Sequence, residues 1–367
     1  MKTTAAVVER PGAPFELVEA ELGEPRADEV VIEVSASGIC HTDLIAQSGQ
    51  FPTPLPAVLG HEGAGTVIAV GDDVTRVRVG DRVAMSYDSC GHCSACSASR
   101  PFSCGEFFPR NFLAQRLDGT TTLTRAGGAL HAPFFGQSSF STHAICHECG
   151  VAKIPDDVPF EVVAPFGCGI QTGAGSVLNA LAVGPGDTIA ILGTGGVGLS
   201  AVMGARIAGC ATIVAVDLDA SRLALAAELG ATDTIHAGGG LDVVAAVQEI
   251  VPGGVPYALE CSGSPDALRA AIDMVGSGGT CGIVGAPPDG TRIDFDVNAI
   301  LATGRTIRGL VEGESVIGDF IPHLIDLWRA GEFPVDRLVR TFRFDEINDA
   351  VARMHDGSVV KPVLLMR

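Results

Sequence analysis

Cys90, Cys93, Cys96 and Cys104 fall within a fifteen-residue stretch rich in Ser, Gly and Ala. Four thiolates at such spacing can close a tetrahedral site around a structural zinc, which leaves no position open for a substrate. The stretch has no apolar periodicity that would bury the sulfurs as core, and a disulfide pair is the alternative. His92 lies inside the loop and is expected to be a bystander. A second cluster, Cys146-His147-Glu148-Cys149, has formal ligand spacing. In the strand expected there, its cysteines would point to opposite faces. Cys210, Cys261 and Cys281 lie in apolar segments and are expected in core. Cys40, His61 and Cys168 are dispersed, and spacing alone does not join them. A lone cysteine is usually a small buried hydrophobe.

Gly193-Thr-Gly-Gly-Val-Gly198 follows an apolar run at 188–192 and opens a helical pattern, and Asp217 stands nineteen residues beyond Gly198. A strand, this glycine turn, a helix and a distal acid form the dinucleotide fingerprint. Gly193 permits the turn, Gly195 and Gly196 let the backbone approach a pyrophosphate, and Gly198 lets helix and strand pack closely. The helix N-terminus favours the phosphate charge. Asp217 is expected to accept hydrogen bonds from ribose hydroxyls and to repel a 2′-phosphate, which favours NAD over NADP.

These groups need two kinds of scaffold. The first ~160 residues read as short β-branched strands, such as 30–34 and 66–70, divided by Gly, Pro and Asp turns. From about 188, strands (188–192, 212–216, 233–236, 257–260, 280–284) alternate with helices (to 208, 220–229, 241–250, 266–275). That rhythm predicts a doubly wound parallel sheet. A helix near 320–330 and a strand near 362–366 are expected to return to the first domain. The fold class is therefore α/β, with a β-rich domain over 1–169 and 311–367 and a nucleotide domain over 170–310. The length of 367 residues suits two domains, and 47% hydrophobic residues suit folded cores. The net charge of −19 leaves no basic face for nucleic acid or an anionic membrane. Eleven cysteines are an odd number and too sparse for a disulfide scaffold. No targeting or membrane-spanning segment is visible, so a cytoplasmic location is expected.

Gly60-His61-Glu62, the four-cysteine loop, Gly167-Cys168-Gly169-Ile170-Gln171-Thr172-Gly173 and the glycine fingerprint together resemble the zinc-dependent alcohol dehydrogenases of the medium-chain dehydrogenase/reductase superfamily, over essentially the whole chain. Phe134-Phe-Gly-Gln-Ser-Ser-Phe140 and Arg305-Thr-Ile-Arg-Gly-Leu-Val-Glu-Gly-Glu314 are similar to the aryl-alcohol (benzyl alcohol) dehydrogenases and their geraniol-oxidising relatives. The resemblance implies a GroES-like catalytic domain, a Rossmann domain, and two zinc ions per chain, one catalytic and one structural. It makes Cys40, His61 and Cys168 the catalytic zinc ligands, with Glu62 close behind the metal and Asp43 orienting His61. Thr42 would bond the substrate oxygen and pass its proton outward. Thr172, Val197 and Val284 would contact the nicotinamide side of NAD, Arg222 the adenosine ribose and Lys361 the pyrophosphate.

Two positions depart from many relatives, and the aryl-alcohol subgroup shares both departures. His41 stands where an arginine commonly grips the pyrophosphate, so the cofactor is expected to be held less firmly and with pH dependence. Ile45 replaces the histidine that commonly ends the proton relay. Phe51, Ile45, Tyr87, Phe134 and Phe135 are the pocket candidates, a lining suited to a flat benzylic or allylic alcohol. Phe134 and Phe135 could equally be domain core. The expected activity is reversible NAD-dependent oxidation of aromatic primary alcohols to aldehydes. Geraniol- or perillyl-type terpene alcohols are the rival substrates, and a non-catalytic zinc-stapled NAD-binding protein is the rival class. A homodimer is expected, with a homotetramer second.

Overall fold

Residues 1–366 are described by a computed structural model, in which the chain forms two units. One contains Met1–Cys168, Val316–Arg329 and the chain from Val335 onward. The other contains Gly169–Ser315 and Ala330–Pro334. The expected first boundary, 169, lies one residue from the observed 168, and the expected return at 311 lies five residues before the observed 316.

In the second unit six parallel strands form one sheet: Thr188–Leu192, Thr212–Asp217, Asp233–His236, Val255–Glu260, Val275–Ile283 and Thr306–Gly309. Their spatial order is third, second, first, fourth, fifth, sixth. The order reverses between the first and fourth strands, and a ligand in such a sheet binds beyond the carboxyl ends at that point. Ile189, Ala190, Ile191 and Val214 are completely buried, as strands covered on both faces require. Leu192, Val216, Ile272 and Met274 continue the core, each contributing ~1.5–3 kcal/mol through burial. Asp219, Asp242, Ser264 and Asp296 cap four of the helices by accepting backbone N–H groups. The strand expected at 280–284 begins earlier, at Val275, because a register shift between Val255 and Tyr257 carries the glycine-rich segment into the ladder.

The first unit has a four-stranded sheet containing Lys2–Val8 and Glu16–Leu22, and a seven-stranded sheet that sets the chemistry. In the latter, Lys361–Leu365 pairs with Glu29–Gly38, which pairs with Glu62–Val70. The registers Val363↔Gly38 and Gly38↔Glu62 bring three distant segments to one end of the sheet. Cys40 follows Gly38, His61 precedes Glu62, and Lys361 begins the last strand, so the sheet itself gathers them. The C-terminal strand lies in this unit.

Candidate active site

Cys40 is the N-cap of the helix His41–Ser48, and Asp43 one turn in reaches back to accept the Cys40 N–H at 3.0 Å. The same carboxylate accepts the Gly60 N–H at 3.0 Å and lies 2.8 Å from His61 Nδ1. Asp43 and His61 are fully buried. With Nδ1 bound to the carboxylate, Nε2 is left as a buried nitrogen with no hydrogen-bond partner. A ring nitrogen of His61 lies within 4.8 Å of the sulfurs of Cys40 and Cys168, which are themselves within that distance of each other. Cys168 enters from the bend between Ala164–Gly167 and Gly169–Gly175. A hydrogen bond with Cys168 holds the Cys40 thiol well below the ordinary range against burial, helped by His61 and Lys361. Burial opposes a charged His61, yet Asp43 and Cys40 raise its proton affinity well above normal. A buried imidazole nitrogen without a partner beside two cysteine sulfurs suits a divalent cation, and two cysteines with one histidine form a zinc donor set. Thr42 places its hydroxyl 3.8 Å from the Cys40 sulfur.

Two further charged residues pack beside this cluster. Lys361, expected on a pyrophosphate, is buried and donates to Glu62 Oε1 and Oε2 at 2.9 Å and to the Ile39 carbonyl at 3.2 Å. Its three N–H groups are thereby used, and the Glu62 side chain reaches it over Gly38, where a Cβ would stand 2.1 Å from Oε2. Glu62 is fully buried, and its carboxylate is committed to this ion pair. Burial pushes the Glu62 carboxyl up, while the ammonium pulls it back. His41 lies exposed at the first helical position, and Ile45 is buried in the same helix.

Aromatic rings close over His61. Phe135 lies 4.5 Å and Phe134 5.8 Å from the imidazole, centroid to centroid. Both are buried core side chains and both face the cluster, so the two readings of this pair coincide. Phe112, which the sequence reading did not single out, contacts Phe135 and Phe51, each at 5.0 Å. It links Phe51 to the wall, and Phe107 at 6.4 Å joins Tyr87 to the same group. The signal was present as Phe107-Phe108-Pro-Arg-Asn-Phe112, three rings on one helical turn just past Cys104.

In the four-cysteine loop the sulfur separations are 3.8 Å (Cys90–Cys96), 3.6 Å (Cys93–Cys96) and 4.0 Å (Cys93–Cys104). A tetrahedron with ~2.3 Å zinc–sulfur bonds has edges of about 3.8 Å. None of these four cysteines is in a disulfide, so the disulfide alternative fails. Backbone N–H groups of Cys93, Cys90 and Glu106 point at the sulfurs of Cys90 and Cys104, as around thiolates. Hydrogen bonds from the Cys96 and Gly105 backbone lower Cys93 to about 6, whereas burial and its neighbours raise Cys96 to about 12. His92 and Glu106 also approach Cys90 within 4.8 Å, but His92 is exposed.

The strand carrying Cys146 ends at His147, and Cys149 lies in the following turn rather than in the strand. Cys146 contacts Met85, and no metal-type group among the described residues includes either cysteine. Of the three cysteines expected in core, Cys281 is buried, while Cys210 and Cys261 are only half-buried because they sit at element ends.

In the second unit, Gly193 has φ +91°, and a Cβ on Gly198 would stand 1.8 Å from its carbonyl oxygen. Gly195 caps the helix Gly196–Ala208 without a side chain, and a Cβ there would meet nothing within 4 Å. The loop is thus tight on its inner side and open outward, where bare helix N–H groups can receive a pyrophosphate. Asp217 ends its strand and accepts from Thr194 N at 2.5 Å, Thr194 Oγ1 at 2.7 Å and Asp219 N at 2.9 Å. It therefore braces the glycine loop and keeps about one acceptor position for a ribose hydroxyl. Arg222 presents a buried Nε with no partner. A cleft of about 550 Å³ opens beside Asp217 between Leu218, Ala237, Leu241 and Ser262. Leu218 and Leu241 are exposed apolar walls that sequence reasoning passed over. Thr172 and Val197 lie on facing helices, a contact so close that a Cβ on Gly173 would be 2.0 Å from the Val197 carbonyl. Val284 donates its N–H to the Glu260 carbonyl at the carboxyl edge of the sheet.

Residues 26–156 match the family model of the alcohol dehydrogenase GroES-like domain, and 196–328 that of the zinc-binding dehydrogenase. Geraniol dehydrogenase of Castellaniella defragrans is 45% identical over 364 residues, which cover 98% of this chain and 97% of that one. The crystal structure of benzyl alcohol dehydrogenase from Acinetobacter calcoaceticus superposes with a TM-score of 0.96 at 45% identity, covering 100% of both chains. An alcohol dehydrogenase zinc-binding domain protein from Burkholderia ambifaria gives 0.97 at 50% identity, over 100% of this chain and 99% of that one.

Proposed function

Since this chain belongs to the zinc-binding alcohol dehydrogenases of the medium-chain superfamily, we propose that it oxidises primary aromatic, benzyl-type alcohols reversibly to aldehydes, passing hydride to NAD. The observation that carries the substrate class is the aromatic wall, Phe134 and Phe135 on His61 and Phe112 with Phe51 beyond. A flat ring fits such a lining better than a short alkyl chain.

Cys40, His61 and Cys168 would hold a zinc ion, which would supply the Lewis acidity that lowers alcohol deprotonation from ~pH 16 toward neutrality. Asp43 fixes the His61 tautomer, so that Nε2 keeps its lone pair for the metal. Thr42, beside Cys40, is placed to take the hydroxyl proton. Phe134 and Phe135 exclude water from the reacting carbon. Ile45 offers no proton acceptor, so the proton leaves by water, the ribose or His41. NAD is favoured over NADP because the Asp217 carboxylate at its strand end would repel a 2′-phosphate.

The same reading gives two zinc ions per chain, no nucleic-acid or membrane partner, and a homodimer, with a homotetramer second. No described helix is long and apolar enough to cross a membrane. Exposed Phe295, Val297 and Leu301 lie just before the edge strand Thr306–Gly309, a surface suited to self-association.

The deciding experiment is NADH formation with benzyl alcohol, geraniol and ethanol, each with NAD and NADP, before and after chelation, alongside metal analysis and light scattering. Chelator-sensitive turnover of benzyl alcohol with NAD is the expected result. Turnover of geraniol alone would move the substrate to the terpene alcohols, a reading the Castellaniella relative supports. No turnover with two zinc ions bound would point to a non-catalytic NAD-binding protein.

A further inference from the structure

The segment from Arg305 to Glu314 carries the edge strand Thr306–Gly309. At its end three consecutive residues have positive φ: Glu312 at 50°, Gly313 at 62° and Glu314 at 50°. Glycine takes that conformation freely, but the two glutamates are strained by it. Such backbone persists only where its surroundings over-determine it, and it clusters at ligand sites.

Here the surroundings are explicit. Gly313 lies against the helix Gly169–Gly175 so closely that a Cβ would be 2.5 Å from the Gln171 carbonyl oxygen and 2.9 Å from that of Thr172. Asn179 donates to the Gly313 carbonyl at 3.3 Å. Arg308 pairs with Glu314 and donates to the Ala180 carbonyl. The clamp delivers one side chain: Glu312 is 8% exposed, and its Oε2 accepts from Gln171 Nε2 at 3.2 Å and Thr172 Oγ1 at 3.4 Å.

Thr172 is the residue that the family resemblance sets against the nicotinamide. The oxidised nicotinamide ring carries a positive charge, which disappears when it accepts hydride. A carboxylate fixed beneath Thr172 attracts the ring in only one of those states. A glutamine could make similar hydrogen bonds without the cost of burying a charge, so the carboxylate points to an electrostatic role.

We propose that Glu312 is a positioning residue for the nicotinamide end of the cofactor, locking Gln171 and Thr172 in place and biasing the site toward oxidised over reduced dinucleotide. This rests on the reading of the second unit as an NAD site. The test measures the dissociation constants of NAD⁺, NADH and ADP-ribose by calorimetry on the full chain, unmutated and as Glu312→Gln and Glu312→Asp.

In Glu312→Gln, NAD⁺ is expected to bind about tenfold more weakly, with NADH and ADP-ribose within about twofold of the unmutated protein. Glu312→Asp keeps the charge and is expected to keep the ratio of NAD⁺ to NADH affinity. Equal weakening of both nicotinamide forms in Glu312→Gln, or no change in either, overturns the proposal. Should Glu312→Gln not fold, Glu312→Met, neutral and of similar length, gives the same comparison. If the unmutated chain binds no dinucleotide, the NAD reading falls; if it binds both forms and the ratio does not move, this inference alone falls.

Discussion

Asp43 shows how one buried carboxylate can organise a metal-facing cluster. It receives the Cys40 N–H, the Gly60 N–H and His61 Nδ1, and so fixes the backbone of one ligand and the tautomer of another. Asp43→Asn keeps the shape but substitutes an NH₂ for one oxygen, which sets a donor against a donor. The loss of such a supporting partner typically costs 10–100-fold in metal affinity. Titration of Asp43→Asn with buffered zinc is expected to show a loss of about that size at one site per chain, with the four-cysteine site unchanged. Equal affinity at both sites in mutant and parent would remove Asp43 from this role. At the same scale, Lys361 is buried and forms an ion pair with Glu62, whose side chain passes over Gly38.

Among the elements, the strand–turn–helix of the nucleotide unit separates two jobs that one glycine motif conceals. A Cβ on Gly198 would collide with the Gly193 carbonyl, whereas one on Gly195 would project into open space. Gly198→Ala is therefore expected to destabilise the fold by ~1–3 kcal/mol, lowering Tm by several degrees. Gly195→Ala is expected to cost only the smaller difference at an N-cap, while weakening NADH binding about tenfold or more. Thermal melts and fluorescence titration of the two variants check this. Similar Tm losses with similar affinities would show that the loop's outer side does not receive the cofactor.

Across the molecule, a partly buried ionic knot ties segments of the first unit that are far apart in sequence. His147 ends one strand and lies 3.2 Å from Asp28 and 3.4 Å from Asp88, which leads into the four-cysteine loop. Burial opposes its charge, but Cys149, Asp88 and Asp28 outweigh that and raise it from 6.5 to about 9. A raised histidine stabilises the fold in full below its unfolded value near 6.5, and that contribution fades as pH climbs through about 9. The amount at stake is on the order of a few kcal/mol. Tm is expected to fall between about pH 6 and pH 10, and His147→Gln is expected to flatten that slope. An identical slope in both proteins would show that His147 carries no such linkage.

The residues by themselves determined the local chemistry. The four cysteines, the glycine turn with its distal acid, and the strand–helix alternation were legible because each is a short-range pattern whose geometry follows from spacing. The helix 220–229 is found at Ala220–Leu229 for the same reason. Elements framed by glycine or lacking a strong apolar run, such as Val297–Thr303 and Thr306–Gly309, carried no such pattern. Only the tertiary structure could bring Cys40, His61 and Cys168 within 4.8 Å, because antiparallel register across the sheet and a bend before Gly169 decide it. The same packing set Lys361 against Glu62, placed Phe112 edge-to-face between Phe51 and Phe135, and brought Glu312 against Thr172. Contacts between residues distant in sequence depend on the packing of whole elements, and no local spacing encodes them.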